Sequence, residues 1–149
     1  MYTFGGTPTI RVRNLREGEA STLPPALQDT GMAFLIPEWT WVVECDSYPA
    51  PFAIVVAGQG HSWLVLFRLL ALSPLPPGVP LTWFMEAHPQ VFAEARRRGC
   101  VGFLALLGDD RPEEAQMARI AVKLAGGTVL PGKWSMCAGP LAERKEGRG

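Results

Sequence analysis

The sequence predicts a single α/β domain built on a mixed, mostly antiparallel sheet flanked by helices, in the order β-α-β-β-β-α-β-α-β(β). Three observations predict it. Three apolar segments rich in strand formers follow one another across residues 39–72 with only turn-length breaks between them. Helical spacing takes over at Thr82, and strand and helix then alternate as far as Ala138. With 149 residues, 48% apolar and 19% charged, the chain suits one domain with a real core and not a disordered tail protein. Its bounds are expected at 1–141, with 142–149 a charged tail that frays.

Ile10-Arg11-Val12-Arg13 alternates apolar and charged residues, as a half-buried or edge strand does. Thr22 stands where it could cap a short helix through Leu27, with Pro24 and Pro25 tolerated in a first turn whose N–H groups lack intrahelical partners; Gly31 ends it. Residues 39–45, 52–57 and 62–72, separated by Asp46-Ser47-Tyr48-Pro49 and Gly58-Gln59-Gly60, read as an antiparallel meander. The near-continuous apolar run 63–72 suggests a central strand buried on both faces. Residues 74–80, with their prolines, form an irregular loop.

From Thr82, Phe84, Val91, Phe92 and Ala95 share a helix face; Pro89 is expected to kink or restart that helix. Arg96-Arg97-Arg98-Gly99 closes it, because cations suit the partial negative charge of the last carbonyls and Gly accepts a left-handed cap. A buried strand follows at 101–107. Asp110, with Pro112 and Glu113 in the first turn, opens a second helix through Ala125 whose apolar face is Met117, Ile120, Ala121 and Leu124. Gly126-Gly127 stops it, and 128–130 and 134–138 make a last strand pair. No internal repeat is visible.

Several function classes fall away. Fourteen Lys+Arg cancel fourteen Asp+Glu, so no net field favours nucleic acid or a membrane surface. Cys45, Cys100 and Cys137 are an odd number and lie far apart, which gives neither a disulfide framework nor a metal knuckle; no metal site is expected. The run 63–72 is interrupted by Arg68 and is too short to span a bilayer, and the opening residues, with Gly5, Gly6 and Pro8, do not read as a signal peptide. A soluble cytoplasmic protein is the expectation. Residues 127–133 fit G-x-x-x-x-G-K in form only: they follow a helix, contain Pro131 and are followed by Trp134 where the nucleotide loop needs Ser or Thr.

Four stretches together resemble the GNAT-type N-acetyltransferase superfamily across roughly Thr9 to Leu141. Ile10-Arg11-Val12-Arg13-Asn14-Leu15-Arg16-Glu17-Gly18-Glu19-Ala20 looks like its opening strand and acidic helix start. Leu70-Ala71-Leu72-Ser73-Pro74 is similar to the end of its fourth strand. Gly99 before the strand 101–107, and Leu124-Ala125-Gly126-Gly127 after the second helix, sit where its later glycine elements sit. The resemblance implies transfer of an acyl group from acetyl-CoA or another acyl-CoA to a small-molecule or protein amine. It also implies that the cofactor lies against Leu70, Leu72, Gly78, Val79, Leu81 and Thr82, its pyrophosphate on N–H groups at a helix start that Thr82 is placed to cap.

The chain departs from that pattern in two places. Where the family's loop usually reads Arg/Gln-x-x-Gly-x-Gly/Ala, this chain has Pro77-Gly78-Val79-Pro80-Leu81-Thr82, and Pro80 has no N–H to give. The family's usual tyrosine falls on Ala121 or Val122, neither of which donates a proton. Glu44, at the end of an inner strand, and His61, at the start of the central one, are the candidate bases; the competing reading makes them a solvated strand end and a hairpin residue. His88, just before Pro89, reads as part of a helix start, and Cys100 as a core thiol. The alternative function is a GNAT fold kept as a non-catalytic binding or structural module, with a protein partner or a homo-oligomer, for example a phage virion or assembly component. An enzyme should keep an open V-shaped split beside its central strand, whereas a structural module could fill it with Trp83 or Phe84.

Overall fold

The fold is that of a computed structural model, which describes residues 8–32, 35–108, 112, 116, 119–120, 122–123, 126–130 and 134–140. Strands β1 (Ile10–Asn14), β2 (Thr40–Cys45), β3 (Ala53–Gly60) and β4 (Trp63–Ala71) are successive antiparallel neighbours, the expected meander. Strand β5 (Gly102–Gly108) joins β4 in parallel, and β6 (Thr128–Leu130) and β7 (Trp134–Pro140) complete a seven-stranded sheet of order β1-β2-β3-β4-β5-β7-β6. The stretch 142–149 lies outside the described residues.

Strand β4 is central but not enclosed, contrary to its apolar run. Leu64 alone is buried along it; Trp63 is exposed and the rest are half-buried. The cause is geometric. Strand β5 pairs only with Trp63 to Leu66, opposite Gly102 to Ala105, so the remainder of β4 has no β5 partner. On the other side, Ala57 pairs with Leu66 and Val56 with Arg68, leaving Phe67 as the extra residue of a β-bulge that increases the local twist. A strand beside an apolar opening carries the same residues as one sealed between two layers.

Helix α1 (Pro25–Gln28) is a single turn. It is led in by Pro24, and the Thr22 hydroxyl instead donates to the Glu19 carbonyl at 2.8 Å, so the expected Thr22 cap is not formed. Its Leu27 is fully buried against Val42, Ile54 and Val56 on one face of the sheet. Helix α2 (Phe84–Arg97) covers the other face through Phe84, Ala87, Val91 and Ala95, spaced three and four apart. It begins two residues after Thr82, and no side chain caps it, so Thr82 does not serve there. It also runs unbroken through Pro89. Pro89 is its sixth residue, so the lost bond is the single one to the Met85 carbonyl, and sheet packing on both sides of it holds the helix together.

The helix ends as the sequence predicts. Gly99 sits at φ +100°, the Cys100 N–H donates to the Ala95 carbonyl at 3.0 Å, and the Gly99 N–H donates to the Arg96 carbonyl at 3.0 Å, which is a Schellman closure. Arg98 does more than complement a dipole. Its guanidinium lies 5.0 Å from the Trp39 ring and 5.5 Å from the Trp41 ring, pairs with Glu94 at 3.1 Å, and donates to Asn14 Oδ1 at 2.5 Å and to the Glu38 carbonyl. The end of α2 is thereby bolted to β1 and the entrance of β2. Of the second expected helix, Pro112, Gln116, Arg119, Ile120, Val122 and Lys123 are helical; Asp110, Glu113, Met117, Ala121 and Leu124 lie outside the described residues. None of the described helices is long and apolar enough to cross a membrane.

Candidate active site

The parting of β4 and β5 positions the site. Below it lies an open cavity. Strands β3 and β4 supply Val55, Leu66 and Leu69, and β5 supplies Phe103 and Ala105. Helix α2 forms the opposite wall with Ala87, His88, Val91 and Phe92, and Val122 closes one side. Among these lining residues only Arg68 and His88 bring charge or a titratable group, and the Arg68 guanidinium donates to the Thr30 carbonyl just past α1.

Trp83 and Phe84 are walls of this cavity and not its plug. Trp83 is 2% exposed and Phe84 6%, and Trp83 stands edge-on to Phe52 at 5.4 Å and to Phe84 at 6.2 Å. Those edge contacts hold the indole in the wall. The split stays open.

His88 is the one histidine among the described lining residues. It is half-buried, edge-on to Phe92 at 5.5 Å, and Phe92 in turn stacks on Phe103 at 4.8 Å. Its Nδ1 lies 2.9 Å from the Phe84 carbonyl. A carbonyl only accepts, so Nδ1 carries the proton and Nε2 keeps its lone pair. Burial pushes the imidazole below its ordinary value, against the Phe84 hydrogen bond, which pulls the other way. The result is an imidazole held neutral near pH 7, able to accept a proton.

The residues singled out in the sequence lie as follows. Glu44 stands on the same face of β2 as Val42, the face that α1 covers, and its carboxylate takes a hydrogen bond from Arg13 at 3.1 Å. Arg13 also holds Glu19 in a two-pronged contact at 2.7 and 3.0 Å. His61 is exposed in the two-residue turn between β3 and β4, at φ +54°. Leu66, the nearest β4 residue of the cavity, is five residues further along, roughly 16 Å at a strand's rise. Neither Glu44 nor His61 lines the cavity. Leu70 packs toward α1, and Leu72, whose N–H donates to the Phe52 carbonyl at 2.8 Å, packs at the start of the loop.

Gly78, Val79, Leu81 and Thr82 sit together on that loop. Gly78 adopts φ +82°, and a side chain there would meet Pro8 at 3.2 Å, so both backbone and space require glycine. Val79 is buried; Leu81, 83% exposed, and Thr82 face outward. Several N–H groups that could hold a pyrophosphate already have partners: Val79 donates to Pro76 at 3.1 Å, Trp83 to Pro80 at 3.0 Å and Met85 to Thr82 at 2.8 Å. No Lys or Arg occurs between Arg68 and Arg96, so this segment adds no charged hydrogen bonds to a phosphate. Val122, one of the two positions on which the family's tyrosine falls, contributes a buried apolar wall. Among the described residues no three His, Cys, Asp or Glu side chains group as metal ligands.

Sequence reasoning missed His88 because the neighbouring Pro89 dominated its reading. Helix-face arithmetic contained the signal. Phe84, His88, Val91, Phe92 and Ala95 are spaced four, seven, eight and eleven residues from the first, so His88 belongs to the apolar stripe that α2 turns inward.

A seven-stranded sheet whose fourth and fifth strands run parallel and then part, with a helix crossing between them, is the architecture of the GNAT N-acetyltransferases. This chain has that fold. The ribosomal-protein-S18-alanine N-acetyltransferase of Escherichia coli superposes with a TM-score of 0.61 at 13% identity, covering 95% of this chain and 99% of the other. A GNAT-family acetyltransferase of Bacillus anthracis gives 0.61 at 9% identity, covering 95% and 100%. Diaminobutyrate acetyltransferase of Paenibacillus lautus, solved with L-2,4-diaminobutyric acid and coenzyme A, gives 0.56 at 8% identity, covering 92% and 98%. No family model matches the sequence, and no curated protein does.

Proposed function

We propose that the chain is an acyl-CoA-dependent N-acyltransferase whose thioester enters where β4 and β5 part. The observation that carries this reading is the open split above an unfilled cavity, in a fold shared with acetyltransferases that include one solved with coenzyme A. In this reading the amine nitrogen attacks the thioester carbonyl carbon, the C–S bond breaks, and the CoA sulfur leaves with the bonding pair. His88 Nε2 takes the amine proton, and the resulting imidazolium returns a proton to the sulfur. One group thus does the work that a base and a tyrosine share elsewhere in the superfamily.

The test is release of free CoA from acyl-CoA in the presence of a panel of amines. His88→Ala is expected to lower kcat by about 100-fold or more, with binding of CoA retained. Because burial lowers the His88 pKa, the acid limb of the kcat profile should fall below an ordinary histidine's value of about 6.5.

One observation favours a second reading, the fold as a non-catalytic binding module: Val122 stands on the cavity wall where a proton donor would serve. It predicts thioester binding with no turnover for any amine. The acetyltransferases that share the fold lend no support to a virion role.

A further inference from the structure

We infer that the cavity between β4, β5 and α2 is a binding site for a medium-length acyl chain, of about six to eight carbons, and that this chain, more than the phosphate end, anchors the thioester. The inference rests on the acyltransferase reading and adds to it the class of acyl group carried.

Size is the first argument. The cavity leaves about 70 Å3 open to the centres of water-sized groups, room for about five to seven of them at ~10–15 Å3 each. An acetyl group puts one methyl beyond its carbonyl and leaves most of that room unused. Hexanoyl and octanoyl groups put five and seven carbons there, with the thioester still at the opening.

Wall chemistry is the second. From Leu66 and Leu69 across to Val91, Phe92 and Phe103 the lining is hydrocarbon, and Val122 stands where a hydroxyl could have been. Apolar walls of this kind give water few polar partners and accept apolar ligands readily. A polar acceptor placed deep among these walls, away from His88, would strand its own donors. A chain of methylenes strands nothing.

The loop supplies an independent argument. Pro80 lacks an N–H, the Val79, Trp83 and Met85 N–H groups are committed to carbonyls within the segment, and no cation lies between Arg68 and Arg96. The loop thus offers the phosphates fewer donors than an uncommitted helix start would, and the acyl end carries a correspondingly larger share of the affinity.

Calorimetric titration of the whole chain with CoA, acetyl-CoA, butanoyl-CoA, hexanoyl-CoA and octanoyl-CoA tests this. Affinity should rise about two- to fourfold per methylene, making octanoyl-CoA about a hundredfold or more tighter than acetyl-CoA. Ala105→Leu, or Ala87→Leu if the first does not fold by circular dichroism, extends a wall into the cavity and should abolish most of that gain. Equal affinity for CoA and all four thioesters overturns the chain site while leaving the acyltransferase reading intact. A chain-length gain that survives both substitutions places the chain elsewhere and overturns it too. If neither CoA nor any thioester binds, the acyltransferase reading itself fails, and the chain site with it.

Discussion

His88 and Glu44 both carry ionisable side chains, and their surroundings differ sharply. His88 faces aromatic and aliphatic groups, with Arg68 the one charged residue among the described residues lining the same cavity. Its native pKa is lowered by burial, so the unfolded chain binds protons more readily than the folded one. Stability from this residue is fully present above the unfolded value of about 6.5 and is lost as pH falls through the native value. Thermal unfolding followed from pH 7.5 to 5 should show that decline, and His88→Gln should flatten it; an unchanged slope would count against a buried neutral imidazole. The Glu19 carboxyl is lowered chiefly by its hydrogen bond from Arg13. At Glu94 burial raises the carboxyl, but the bonds from Arg97 and Arg98 outweigh it and leave it lowered. Both act only below about pH 4.5, outside the histidine window. Glu44 meets Arg13 at a partly exposed site, and such pairs contribute about 0.2–1 kcal/mol. Glu44→Gln should therefore cost about 0.5 kcal/mol in a denaturant titration and leave acyl transfer at its original rate.

At the scale of elements, helix α2 carries most of what the sequence made legible and part of what it hid. Arg96-Arg97-Arg98-Gly99 announced its end, and the Schellman bonds occur there. A Cβ at Gly99 would meet nothing within 4 Å, so Gly99→Ala tests backbone conformation alone. Its cost should be about 1–2 kcal/mol from the left-handed φ, read as a lower denaturant midpoint at unchanged slope. The start of the helix was less legible. Thr82 has a capping side chain, but the loop tightens through the Trp83 to Pro80 bond and delivers the chain into the helix without it. Burial of Trp83 and Phe84 decides that geometry, and burial is a tertiary fact. Strand β4 teaches the same lesson. An apolar run records that a strand avoids water, not whether protein or a cavity lies beside it.

For the whole molecule, the order of strands and helices was readable because each element declares itself over a few neighbouring residues. The cavity was not, because its lining is gathered from positions between 55 and 122 on five elements, and no local pattern links Val55 to Phe103 or Val122. That gathering has a thermodynamic consequence. A ligand in the cavity touches β3, β4, β5, α2 and the last helix at once, so it stabilises the molecule as a unit and not one segment. Ligand at a hundred times its dissociation constant adds about 2.7 kcal/mol. For a chain near 150 residues each kcal/mol raises Tm by about 2–4 °C, so octanoyl-CoA at that ratio should raise it by about 5–10 °C. CoA at the same concentration, lacking the chain, should give a much smaller shift. A single transition that moves as a whole is the expected trace. A shift confined to one of two separable transitions would mean that the ligand grips one part of the fold and that the cavity is not where it binds.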